Sequence, residues 1–198
     1  LIAYLLHRRF SFILPFGFLL SGFALLVSYL GQMNPQITPL MPVLVSPWLS
    51  IHVSLIMMSY ALLAFIMLNG ILALCLRKKE SENNVSGNDA IQDNRIEQLT
   101  LVSRLLLYPA TFFLGAGIFL GAVWANVSWG RYWAWDPKEV WALITFLVYG
   151  VAFHSQSLRI FRKPLFFHIY MILAFLTVLM TYFGVNYVLG GMHSYANA

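Results

Sequence analysis

The sequence predicts an all-α, polytopic helical bundle embedded in a membrane. Three observations carry this expectation. Of the 198 residues, 60% are hydrophobic and only 10% are charged, whereas a soluble domain is about 25% charged. The mean hydropathy is +0.75. Five apolar runs, at roughly 10–30, 48–75, 101–124, 138–158 and 165–189, are each long enough to cross a bilayer as a helix. A single membrane-embedded domain, 1–198, with about five spans is expected.

The first run follows His7-Arg8-Arg9 and is too long for a signal-peptide core, so it reads as a span. The chain opens on Leu1 rather than Met, which leaves room for upstream spans. Gly31 to Pro47 carries Pro35, Pro39, Pro42 and Pro47 with no charge, and reads as a loop. Pro47 suits the first turn of the second span, behind Ser46 as cap. The single cysteine, Cys75, can form no internal disulfide and is expected to pack as a small residue. Arg77-Lys78-Lys79 opens a polar cytoplasmic linker over 80–98, and the third run follows it. An outer loop over 124–138 leads to the fourth run. There Asp136 and Glu139 have capping-box spacing, with Pro137 at the first helical position. Arg159, Arg162 and Lys163 fill the turn before the fifth run.

The basic residues set the orientation. Arg8, Arg9, Arg77, Lys78, Lys79, Arg95, Arg104, Arg159, Arg162 and Lys163 fall on one side of a five-span arrangement, and only Arg131 and Lys138 on the other. The N-terminus is therefore expected inside and the C-terminus outside. The net charge of +5 belongs to these clusters beside apolar runs. No basic stripe with interleaved aromatics offers a track for nucleic acid.

Five of the six tryptophans lie between Trp124 and Trp141. An interfacial belt needs one or two per helix end, so this density points to a packed aromatic surface. Beside Arg131 and Lys138 it suits a large flat ligand with an apolar body and anionic edges. Counted from Pro47, His52 sits roughly 8 Å below the outer end of the second span, and His193 follows the fifth span on the same side. Two neutral imidazoles at one level make an axial pair for haem iron. His154, counted from Pro137, lies roughly 26 Å down the fourth run, near the inner face. Ionisable groups within a span usually face a site or pathway. His168 is at similar depth with less to mark it, and His7 belongs to the basic N-terminal cluster.

The run Trp129-Gly130-Arg131-Tyr132-Trp133-Ala134-Trp135-Asp136-Pro137-Lys138-Glu139-Val140-Trp141-Ala142-Leu143-Ile144 resembles the WWD signature of the haem-handling proteins of cytochrome c assembly. Its Asp-Pro-Lys-Glu-x-Trp-Ala-Leu-Ile ending looks most like the CcsA (ResC) branch, rather than the CcmC or CcmF branches. The resemblance covers the whole chain. It implies that the region around Trp129, Trp133, Trp135 and Asp136, with His52 and His193 flanking it, holds haem b on the outer face for attachment to apocytochrome c. It further implies an inner haem site using His154, and a membrane partner of the CcsB or ResB type. The setting implied is the bacterial cytoplasmic membrane with the site facing outward, or a thylakoid membrane with the site facing the lumen.

The expected chemistry is thioether formation between haem vinyl groups and the thiols of a CxxCH segment, a haem-lyase reaction. The chain carries no general base pair, nucleophile triad or phosphate loop, so its contribution is expected to be positional. A haem exporter or chaperone that never catalyses attachment is the alternative. A b-type electron-transfer subunit fits less well, because no span carries two histidines.

Overall fold

The computed structural model describes residues 15–22, 25, 46–83, 89–155 and 157–189. Residues 15–22 are helical and belong to a separate compact unit, Leu1–Pro42. Among its described residues, the second unit, Val43–Ala198, contains four α-helices: α1 (Pro47–Asn83), α2 (Asp89–Trp129), α3 (Pro137–Val151) and α4 (Pro164–Leu179). A short 3-10 turn, Ala152–His154, ends α3, another covers Arg159–Arg162, and a π-helix, Met180–Leu189, continues α4. Among the described residues there is no strand.

α1 and α2 pack antiparallel: His52 lies against Gly117, the Ser59 hydroxyl donates to the Ala110 carbonyl, and Asn69 Nδ2 donates to Ser103 Oγ at 3.1 Å. α4 lies against both, with Gly70 of α1 close to the His168 carbonyl and Thr100 of α2 bonded to His168. α3 runs antiparallel to α4, since Tyr170 donates to the Val148 carbonyl and Thr145 pairs with Thr181. Leu63, Ile66, Leu107, Tyr149, Phe167 and Met171 form the core where these helices meet.

The outer faces are apolar. On α2, Leu101, Leu105, Tyr108, Phe112 and Phe119 form an exposed stripe, and Cys75, expected to pack, is exposed on α1. Such a surface is stable against hydrocarbon and not against water. Among the described residues, three helices are long and apolar enough to cross a membrane: Pro47–Arg77, Asn94–Trp129 and Pro164–Leu189. This is a helical membrane bundle. The fourth apolar run is a shorter, 15-residue α-helix that turns into the 3-10 turn at Ala152. Of the first run, 10–30, only a fragment is described.

Two boundaries differ from those the sequence suggests. The polar stretch 80–98 is helical over 80–83 and 89–98, with 84–88 outside the described residues. At the other end, α2 runs through Trp124 to Trp129, so the loop proper begins at Gly130. Gly130 adopts φ +73° and its N–H bonds the Asn126 carbonyl at 2.9 Å, a left-handed C-terminal cap suited to glycine.

Candidate functional site

At the start of α1 and the end of α2, a cavity of about 340 Å³ opens between α1, α2, the connecting loop, α3 and the π-helix. Its size is at the small end of ligand sites. His52, Trp124, Trp133, Lys138 and Asn186 all line it, although they are distant in the sequence.

The loop is held by the α3 cap. Asp136 is the N-cap, its carboxylate accepts from the Lys138 N–H at 3.1 Å, and the reciprocal Glu139 contact completes the capping box. Glu139 Oε2 accepts from both the Ala134 N–H at 2.8 Å and the Asp136 N–H at 3.2 Å. The chain thus curls around one carboxylate. Trp135, between the two donors, is driven to φ +58°, a strained conformation for a bulky residue. The residue is 73% exposed, and its ring packs edge-on to Trp133 at 5.9 Å.

Each sequence-predicted residue has a distinct place. His52 lines the cavity, with Nδ1 2.7 Å from the Gly117 carbonyl oxygen. Trp133 and Lys138 line it too. The Lys138 ammonium donates to Asn186 Oδ1 at 2.9 Å, while Asn186 Nδ2 donates to the Tyr182 carbonyl at 2.6 Å. Burial pulls the Lys138 pKa below its ordinary value, and the Asp136 carboxylate opposes that pull. Trp129 is outside the lining but stands edge-on to Trp124, 4.9 Å away, backing the wall that the buried Trp124 forms. Asp136 is buried in the helix cap and Arg131 is exposed; neither lines the cavity. His154 is exposed in the 3-10 turn that ends α3, at the opposite end of the bundle. His193 and His7 lie outside the described residues.

Several lining residues escape the sequence reading. Tyr132 and Glu139 belong to the quoted motif, yet Glu139 reads only as a cap. Thr181, Tyr182 and Asn186 come from the π-helix. A lone asparagine within an apolar span was the available signal for Asn186. The π-helix, whose wider turn puts residues four and five apart on one face, aims all three at the cavity.

At the opposite end is a second polar cluster. The Thr100 hydroxyl donates to the Ile96 carbonyl at 2.8 Å, so His168 Nε2 donates to Thr100 Oγ1 at 2.9 Å. Arg104 donates to the Phe161 carbonyl at 2.7 Å and stands over the Phe167 ring. His168 is fully buried here, tying α2 to α4.

A membrane bundle with an aromatic, histidine-bearing cavity at one end is the class that the fold and site define. The family described as Cytochrome C assembly protein matches residues 3–193, and the chain belongs to that family. It is 40% identical to Protein NrfI of Wolinella succinogenes over 98% of this chain and 21% of that protein. It is 39% identical to the cytochrome c biogenesis protein CcsA of Chlamydomonas reinhardtii, over 93% of this chain and 50% of that protein. With CcsA of Pyropia yezoensis the identity is 34%, over 92% of this chain and 67% of that protein. The chain thus spans about a fifth of NrfI and half of the Chlamydomonas protein.

Proposed function

We propose that this chain binds haem b at the cavity end of the bundle and presents it for covalent attachment to apocytochrome c. The observation that carries the reading is the convergence of His52, Trp133 and Lys138 on one cavity. An imidazole, an aromatic wall and a half-buried ammonium are what a porphyrin's iron, body and propionate edge require. The residues therefore fit the group. The small cavity also favours a ring whose edge stays outside, open to an incoming polypeptide.

His52 and His193 are the proposed axial ligands. Trp133 would contact the porphyrin face, Trp135 would extend that surface, and Trp129 would support it through Trp124. Lys138 meets a propionate, with Arg131 as a further cation, and Asp136 fixes the loop that carries them. Haem, when bound, supplies the vinyl groups that become thioethers with the CxxCH thiols. The chain's residues hold it edge-out and exclude competing geometries, a proximity effect rather than acid–base catalysis. His52 or His193 would have to yield to the histidine of CxxCH.

The haem-lyase activity is proposed for the chain together with a CcsB- or ResB-type membrane partner. His154 belongs to a proposed inner haem site at the opposite end. The basic residues at that end, including Arg77, Arg95, Arg159 and Arg162, support an orientation with the cavity outside. The proposed setting is the outer face of a bacterial cytoplasmic membrane, or the lumenal face of a thylakoid.

The test is the absorption spectrum of the purified protein and of its His52→Ala variant. A low-spin, bis-histidine spectrum in the wild type is expected. In the variant haem retention should fall and added imidazole should partly restore the spectrum. Full haem and an unchanged spectrum in His52→Ala and in His193→Ala would defeat the assignment. Thioether-linked cytochrome, measured with and without the protein at fixed external haem, separates attachment from export alone.

A further inference from the structure

His52 reaches the cavity across an unusually close approach of α1 to α2. We propose that Gly117 and Gly121 of α2 form a seat for the His52 imidazole, fixing its orientation and deciding which ring nitrogen faces a metal. The inference rests on His52 being an iron ligand and makes these glycines positioning residues for it.

The first part of the seat is a hydrogen bond. His52 Nδ1 lies 2.7 Å from the Gly117 carbonyl oxygen, and a carbonyl only accepts, so Nδ1 carries the proton. A neutral imidazole has one N–H; the ligating lone pair is therefore on Nε2. Within a helix the Gly117 carbonyl also serves the N–H four residues on, and its second lone pair takes the imidazole. A ligand whose other nitrogen donates to a backbone carbonyl is held in one tautomer and made more basic.

The second part is steric. A Cβ at Gly121 would stand 2.7 Å from His52 Cε1 and 2.8 Å from Nδ1. A Cβ at Gly117 would stand 2.6 Å from Cδ1 of Ile56, one turn along α1 from His52. Two α1 residues four apart thus rest on two α2 glycines four apart. Small residues at membrane helix crossings often serve close packing alone. Here the atoms that Gly121 makes room for are those of the imidazole ring itself.

The experiment compares four variants of the protein, purified from haem-replete membranes: Gly121→Ala, His52→Ala, the double variant, and Gly150→Ala. The last adds a methyl with nothing within 4 Å and controls for glycine replacement in a helix. Haem-to-protein ratio, spin state and membrane accumulation are read for each. Gly121→Ala is expected to weaken haem retention about tenfold or more and to shift the remainder from low towards high spin. Gly150→Ala should match the wild type. The double variant should match His52→Ala, because the glycine acts through the imidazole. If Gly121→Ala fails to accumulate, the double variant should regain accumulation, since the clash is removed with the ring.

Wild-type haem and spin state in Gly121→Ala, with loss in His52→Ala, overturn the seat and leave the haem reading intact. A double variant worse than His52→Ala, or one that also fails to accumulate, assigns Gly121 to general packing and overturns it as well. Unchanged haem and spectrum in His52→Ala remove the underlying reading, and the seat with it.

Discussion

Individual side chains divide the tryptophan-rich motif into contact and support. Trp133 lines the cavity, whereas Trp135 is 73% exposed beside it. Trp133→Ala should therefore reduce haem retention more than Trp135→Ala, with both proteins reaching the membrane at normal levels. Equal losses would move the binding face outward to the exposed ring. The Lys138–Asn186 contact makes a second distinction. Asn186→Ala removes the 2.9 Å bond to the ammonium, and bonds to charged groups contribute about 1.5–3 kcal/mol. Lys138→Met removes the charge, and with it the desolvation cost, but keeps the bulk. Haem retention in rising salt should drop in both, while thermal unfolding should worsen only in Asn186→Ala. Retention unaffected by Lys138→Met would exclude the ammonium from anion contact.

Among the elements, the α3 cap connects stability to site geometry. Glu139→Ala leaves the Ala134 and Asp136 N–H groups without their shared acceptor, so it should cost about 1–2 kcal/mol in a thermal or denaturant melt. Trp135→Gly should recover about 1 kcal/mol of backbone strain at φ +58°, while losing the ring. No gain in Trp135→Gly would show that the loop relaxes when released. This cap was legible in the sequence, because Asp136, Pro137 and Glu139 have local spacing rules. Helix ends were less legible. The stretch after Arg77 looked like a linker by polarity, yet α1 continues to Asn83 and α2 begins at Asp89. Outside lipid, polar residues of good helix propensity extend a helix that packing has already nucleated. Trp124 to Trp129 carried no breaker before Gly130, so the helix runs on to that glycine. The π-helix itself left no sequence signal, because apolar periodicity cannot separate a turn of 3.6 residues from a wider one; of the three residues it brings to the cavity, only Asn186 stands out by type. The bond between His52 and a carbonyl 65 positions away depends on tertiary register, which no local pattern encodes.

At the largest scale, within Val43–Ala198, the cavity end and the basic end lie at opposite poles. An alkaline phosphatase fusion following His193 should be active and one within 80–98 inactive. The reverse pattern would put the cavity on the wrong side for an outer-face site. Helix length adds a consequence of its own. At 37 and 41 residues, α1 and α2 are about 55 and 60 Å long, roughly twice the hydrocarbon thickness of about 30 Å. Measured from the cavity end, Arg77 and Leu99 each lie about 45 Å along their helix, the thickness of a bilayer with its headgroups, so the residues beyond Arg77 and before Leu99 extend past it. There the backbone amides meet water, while those deeper in the same helices are sealed by lipid and by neighbours. Deuterium uptake should accordingly rise along each helix, slow around Ser59 and Ala110 and fast near Asn83 and Asp89, although the secondary structure is unbroken. Two rigid rods would then carry a graded clock, and the residue at which exchange accelerates would mark where the bilayer ends.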